Sequence, residues 1–279
     1  MEGKWDLIIK PRKTLLSFDV AELWRYRDLI TLFVRRDFVS QFKQTILGPL
    51  WFFIQPIFTT IIFTVVFGKV ANISTDGIPQ PLFYMAGILI WNYFADCLMK
   101  SSETFRSNQH LFGKVYFPRL IVPISIVISN LLRFGVQLLL FVALYLYYLV
   151  NSEMVVSWWI LAFPALVVLV AMQGLAFGLI VSSMTTKYRD LKFLVQFGVQ
   201  LAMYASPVVY PVSMIPEDKR WLILLNPVSS FIEFFRFSVF GEGYITMFGI
   251  TWSIVCSVVF LAIGMLVFNK VEKSFIDTV

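Results

Sequence analysis

One histidine, His110, and two cysteines, Cys97 and Cys256, are all that the 279 residues offer of the side chains most used for metal binding. Both cysteines lie within apolar runs, so neither a disulfide framework nor a Cys/His metal site is expected. With its lone histidine in a polar loop, the sequence cannot assemble a Ser–His–Asp set. No GxxxxGK[ST] occurs, which excludes ATP hydrolysis through a P-loop, and no GxGxxG marks a dinucleotide site. Glu103, Glu153, Glu217 and Glu233 are too scattered to suggest a membrane enzyme acting on lipid-linked sugars. No internal repeat relates residues 49–149 to 157–268, as an ion-coupled secondary transporter would usually show.

Charge is the next scarcity. Only 14% of the residues are Asp, Glu, Lys or Arg and 58% are hydrophobic, whereas soluble domains carry roughly 25% charged residues. Several apolar runs reach the roughly 20 residues needed to cross a hydrocarbon core about 30 Å thick. The fold class expected is therefore all-α, a polytopic membrane protein. Six spans are predicted, at 49–69, 82–100, 121–149, 157–182, 193–212 and 248–268, the third long enough to tilt or to project beyond the bilayer. Residues 221–247 contain an apolar piece too short to cross that carries Glu233 and Arg236, and read as short re-entrant helices rather than a seventh span.

The net charge of +6 does not point to nucleic acid, because its distribution follows a membrane rule. Eighteen of the 23 Lys and Arg fall in the tail before the first span, the loops after the second and fourth, and the C-terminal tail, against four on the other side. The positive-inside bias then puts both termini in the cytoplasm, with an even number of crossings. The N-terminal MEGKWDLIIKPRK lacks a short apolar core with a cleavage site, so insertion is expected to use the spans themselves.

Residues 1–48 form a basic tail and an amphipathic segment. Asp19 with Glu22 is a capping-box-like start, and Val20, Leu23, Trp24, Ile30, Val34 and Phe38 recur at helical spacing between basic edges, the pattern of a helix lying in the membrane interface. Residues 49–279 hold the spans. Within these, Arg133 stands 14 residues beyond Arg119, roughly 20 Å along a helix. A charge at mid-span costs on the order of 3 kcal/mol, so it needs a partner, helix carbonyls or a wet cavity. Pairing with Asp96 requires neighbouring spans at matching depth.

The sequence has 29 Phe, 11 Tyr and 8 Trp. Many, such as Trp51, Trp91, Trp158, Trp159 and Trp252, fall near span ends, as interfacial belts do; others could line a conduit for sugar rings. The loop 104–120 mixes Arg106, Asn108, His110 and Lys114 with Leu111, Phe112, Val115 and Phe117. That apolar content suits a docking surface or contact with the bilayer. The turn KYRDLK, 185–192 with its preceding threonines, concentrates Lys187, Arg189, Asp190 and Lys192.

Four stretches, QTILGPLWFFIQPIF, NQHLFGKVYFPRLIVPIS, KYRDLKFLVQFGVQLAMYASPVVYP and NPVSSFIEFFRFSVFG, resemble those of ABC-2 type permeases that export polysaccharides, with the O-antigen exporters nearest and teichoic-acid and capsule exporters nearby. The resemblance implies a homodimer of six-span subunits joined to two copies of a separate ATP-binding subunit, which would hold ATP and Mg, this chain carrying no cofactor. It implies a glycan on a polyprenyl-pyrophosphate carrier as substrate. By it, the 104–120 loop and 185–192 turn dock on the ATPase, through Arg106, Asn108, His110, Lys114, Arg119, Lys187, Arg189 and Asp190. Residues 226–246 would be a pair of gate helices dipping in from the outer face, with Phe231, Glu233, Phe235 and Arg236 at the gate; the mid-span charge of Arg133 places that residue in the conduit as a separate expectation.

Overall fold

In the computed structural model residues 20–43, 45–115, 117–151, 157–186, 188 and 190–276 are described, and all regular structure among them is helical. Two helices, α1 (Val20–Arg25) and α2 (Arg27–Phe42), precede α3 (Trp51–Phe63), which widens into a π-helical stretch, Thr64–Val70. Next come α4 (Gln80–Ser101), the short α5 (Thr104–Ser107) and α6 (Gln109–Phe112), and α7 (Ile121–Asn151). The chain continues through α8 (Phe163–Thr185), α9 (Leu191–Ala205), α10 (Arg220–Leu224), α11 (Pro227–Phe240) and α12 (Met247–Ile276).

Five segments are long and apolar enough to cross a membrane: Gly48–Val70, α4, Ile121–Val150, Trp158–Thr185 and Met247–Glu272. α9, at 15 residues shorter than these five, runs with the segment after it from one end of the bundle to the other. A helix over 193–212 is expected from the sequence, but α9 stops at Ala205 because Ser206 precedes Pro207 and takes an extended backbone, φ −97° and ψ 155°, as the proline ring demands of its neighbour. Contacts fix the direction of the last traversals. Lys192 at the start of α9 is ion-paired to Glu103, just past α4, whereas Val208 reaches the first turns of α4 through Arg236. Near its own end α12 returns to the first level, where the Glu272 carbonyl accepts from Arg119. Between 206 and 247 the chain therefore stays at one end of the bundle. There the helical segments Glu217–Leu224 and Pro227–Phe240 are bent 106° to each other, the geometry of a re-entrant pair.

Local signals shape that pair. The Asn226 side chain accepts from the Val228 N–H at 3.2 Å, Pro227 occupies the first turn of α11, and Gly241 closes it at φ +74°. Polar cap, early proline and a left-handed glycine together satisfy the orphan groups of a short helix.

α4 is the axis of the bundle. Far more of it is buried than of any other crossing segment among the described residues, although it is the least hydropathic of the five. The two facts share a cause: a helix screened from lipid by α3, α7, α8 and α11 need not be apolar all round. Against it α8 presents Gly174 and Gly178. A Cβ on Gly174 would lie 2.6 Å from the Cys97 Cβ and 2.9 Å from the Phe94 carbonyl; one on Gly178 would lie 2.5 Å from the Ser101 Cβ. Small residues four apart on both helices let the backbones touch, which is how helices gain dispersion energy where lipid removes the hydrophobic drive.

A second cluster lies at the end that carries α2. Phe33 of α2, Phe105, Phe112, Phe117, Leu120, Ile121 and Phe268 are buried together. Phe105 stacks on Phe268 at 4.5 Å, and Phe33 meets Phe117 edge-on at 5.7 Å. This accounts for most of the apolar content of the 104–120 loop: it receives α2 and the last turns of α12. Trp24, Leu32 and Val39, on the opposite face of the N-terminal helices, are exposed, so these helices keep a second apolar face. A break at Tyr26 divides the expected single helix, and the capping expected of Asp19 and Glu22 lies outside the described side chains.

Candidate functional site

Two regions gather the polar side chains that an apolar bundle does not otherwise need: the α2 end, where the 104–120 loop meets the 185–192 turn, and the ion pairs that brace α4, one half-buried and one buried. At the first, Arg106, His110, Lys114 and Asp190 are exposed. Asn108 and Arg119 are instead buried within the subunit. Asn108 donates to the Thr104 carbonyl at 3.1 Å and accepts from Arg36 at 3.4 Å. Arg119 donates to the Glu272 carbonyl at 2.9 Å and lies over the Phe112 ring at 5.2 Å. Burial pushes the Arg119 pKa below its ordinary value and the Glu272 carboxylate opposes the shift. Lys187 and Arg189 lie outside the described residues.

Loop and turn are bound to each other. Besides the Glu103–Lys192 pair, the Thr185 hydroxyl donates to the Ser102 carbonyl at 3.1 Å. A narrow cleft at this junction is lined by Ser102, Glu103, Arg106, Thr185 and Lys192. These contacts join the ends of α4, α8 and α9 at one point.

Deeper in the bundle, Arg133 of α7 pairs with Asp96 of α4 at 3.0 Å, donates to Gln55 of α3 at 2.7 Å and lies over the Phe52 ring. Next to it Lys100 donates to Asn130 at 2.7 Å. The count from Arg119 puts Arg133 far from the inner surface, but α7 extends beyond the end of α4. Its partner Asp96 is only five residues from Ser101, about 8 Å along α4. Arg133 therefore lies nearer the rim of the apolar layer than the sequence spacing implies.

At the opposite end Arg236 and Glu233 are 1% and 2% exposed and paired at 2.8 Å, one turn apart on α11. Arg236 also donates to the carbonyls of Val208 at 3.0 Å and Phe83 at 3.4 Å, with its guanidinium 3.6 Å from the centre of the Phe83 ring. The other oxygen of Glu233 accepts from the Tyr244 N–H at 2.9 Å. One side-chain pair thus joins α4, the segment after α9, α11 and the approach to α12. Room for it depends on Gly87, where a Cβ would be 2.9 Å from Arg236 Nη2. Phe231 and Phe235 are buried beside it, Phe235 against Phe141 and Phe163 at 5.3 Å each.

Sequence reasoning did not single out Gln55, Lys100 and Asn130 as partners, nor Gly87, Gly174 and Gly178. Signals existed: Asp96 and Lys100 are four apart, Asn130 and Arg133 three apart, and GLAFG is a small-xxx-small pair on an apolar span.

Comparison with known proteins is consistent along almost the whole chain. A family described as ABC-2 type transporter matches residues 28–240. An O-antigen export system permease protein RfbA of Klebsiella pneumoniae is 27% identical over 254 residues, 90% of this chain and 94% of the relative. One of that name from Myxococcus xanthus is 28% identical over 226 residues, 80% and 84% of the two chains. The polysialic acid transport protein KpsM of Escherichia coli is 23% identical over 248 residues, 87% and 93%.

Proposed function

This chain belongs to the ABC-2 type transporter family, and from that premise we propose that it is the membrane permease subunit of an exporter of lipid-linked polysaccharide, driven by a separate ATP-binding subunit. The relatives named for O-antigen export and polysialic acid transport support a polysaccharide cargo. The former, with the higher identity, favour an O-antigen-type glycan over a capsule polymer. The subunit lies in the bacterial inner membrane with both termini in the cytoplasm, so the α2 end faces the ATPase and the α11 end faces the periplasm. Two copies make the pore. This is supported by α9, which has no buried residue in the subunit and exposes Phe193, Leu194, Phe197, Leu201 and Tyr204.

The observation that carries the reading is the build of the α2 end. Arg106, His110, Lys114 and Asp190 are exposed there on a loop and turn that are locked to each other and, through the phenylalanine cluster, to α2 and α12. Such a unit behaves as a lever. ATP and Mg bind between the two partner subunits and draw them together; the levers follow, and the pore at the dimer centre opens. For this, the partner must contact the lever differently in its two states, since a ligand shifts an equilibrium only by its differential affinity. At the other end α11 acts as the gate helix, with Arg236 and Glu233 as its anchor. Copurification of this chain with an ABC ATP-binding subunit, followed by ATP-dependent appearance of lipid-linked glycan on the far side of a vesicle membrane, tests the proposal. A chain that copurifies with no such subunit contradicts it.

A further inference from the structure

One guanidinium ties α3 to α7. Arg133 donates to the Gln55 side chain at 2.7 Å and lies over the Phe52 ring, its charge met by Asp96 of α4 at 3.0 Å. Both helices start at the α2 end, α3 following α2 in the chain and α7 entering the phenylalanine cluster through Ile121. They therefore run the same way, and Gln137, Leu140 and Leu144, four, seven and eleven residues on, continue the stripe that Arg133 begins. Leu140 and Leu144 face α3, since both line a groove of about 360 Å³ with Ile61. Gln137, between them and Arg133, is 3% exposed, and its Nε2 has no hydrogen-bond partner among the described residues. An idle buried amide is costly. It stands where the Gln55 oxygen would arrive if α3 advanced one turn, about 5.4 Å, along α7.

The backbone of α3 permits such a step. Gly48, between α2 and α3, has φ +48°, and a Cβ there would meet nothing within 4 Å. Pro56, directly after Gln55, gives no N–H to the helical ladder. Farther on, Thr64–Val70 is wound as a π-helix, a form that occurs mostly as single turns at functional sites. Its outer part is pinned where the Gly68 carbonyl accepts from Gln80 Nε2 at 3.3 Å. Residues 57–63 thus lie between two irregular turns, and behind them the groove, bounded on α4 by Pro81 and Met85, leaves room to bow. We propose that Gln55 has two seats on α7, Arg133 and Gln137, and that α3 ratchets one turn between them during export, which makes Gln55 and Gln137 positioning residues of the transport cycle. Interdigitated side chains favour two discrete registers over gradual sliding, and one-turn ratchets are an established form of switching. The inference rests on the proposed function in assigning the step to export; the two seats rest on the geometry alone.

Cysteine cross-linking of the full chain in nanodiscs reads the register. Cys97 and Cys256 are replaced by alanine, and Ile61→Cys is paired with Leu140→Cys or with Tyr147→Cys, all three positions lining the groove. A short bifunctional thiosulfonate then gives the ratio of 61–147 to 61–140 cross-links. Trapping the ATP-bound state of the complex should raise this ratio, because α3 has moved outward along α7. In the chain alone, Arg133→Met with Asp96→Asn removes the first seat without leaving a bare charge and should also raise it; adding Gln137→Met should cancel the rise. Gln137→Met by itself removes an idle buried donor, so the melting temperature should hold or increase. Glycan exported per ATP should nevertheless fall about fivefold, the worth of one neutral hydrogen bond. Wild-type export per ATP in Gln137→Met, or a chain-alone ratio indifferent to Arg133→Met and Gln137→Met, overturns the two seats. A ratio unmoved by nucleotide in a complex that exports overturns the ratchet. A chain that joins no ATP-binding subunit sinks the proposed function, and the chain-alone ratio still decides the seats.

Discussion

Glu103, two residues past the end of α4, is ion-paired to Lys192 in the first turn of α9, so the loop and the turn expected to receive the partner are tied to each other. Both side chains are about one-third exposed, 30% and 34%, and an exposed pair of this kind contributes at most about 1 kcal/mol to stability. The expected consequence of breaking it is mechanical. Glu103→Lys should leave the melting temperature nearly unchanged and lower the amount of glycan exported per ATP hydrolysed. The exchanged pair, Glu103→Lys with Lys192→Glu, should recover most of that ratio. No recovery in the exchanged pair would show that the two charges act separately.

Arg236 offers the opposite balance, because its pair is buried and its loss leaves Glu233 uncompensated. Removing one partner of such a pair typically costs about 3–5 kcal/mol. Arg236→Ala should therefore lower the thermal stability of the purified protein sharply. Arg236→Lys should recover only part, since a lysine cannot reach Glu233, Val208 and Phe83 at once. A melting curve for Arg236→Ala that overlays the wild type contradicts the anchoring role of this pair.

Gly178 meets Ser101 with no room for a side chain. Gly178→Leu forces α8 away from α4, and overpacking of this kind costs about 1–3 kcal/mol. Gly135, whose Cβ would meet nothing within 4 Å, is the control: Gly135→Ala should be tolerated. Detergent stability measured by size exclusion after graded heating distinguishes the two.

The exposed cations of the α2 end are expected to serve the partner rather than the fold. Arg106→Glu and Lys114→Glu should change stability by no more than about 0.5 kcal/mol, as surface substitutions usually do, yet weaken association with the ATP-binding subunit. The weakening should be steeper at low ionic strength, where exposed charges are least screened. Asp190→Ala should uncouple ATP hydrolysis from export. Binding by the Glu variants that matches the wild type would move the docking surface elsewhere.

Much of the bundle is legible in the sequence because apolar length decides what can cross a membrane, and the runs around α4, α7 and α8 are unmistakable on that measure. Prolines made some ends readable: Pro207 stops α9, though earlier than the run of apolar residues suggests. The 106° bend before α11 follows from an apolar piece too short to cross. What length does not reveal is depth. Counting from Arg119 along α7 puts Arg133 deep, but its depth depends on how far that helix projects past α4, and only the packed bundle sets this. Likewise the apolar residues of the 104–120 loop read equally as a partner surface or a membrane contact; Phe33 and Phe268, distant in sequence, turn out to cover several of them. Arg119 and Asn108 look like surface residues in a polar loop, and become internal braces once α12 and α2 are folded against them.

The central claim is that this chain is a passive pore moved by a separate ATPase, and reconstitution tests it most directly. Vesicles containing the purified chain with its ATP-binding subunit should export lipid-linked glycan when given ATP and Mg; vesicles with the chain alone should export none above leakage. Equal export by the chain alone, with no nucleotide present, would contradict the account.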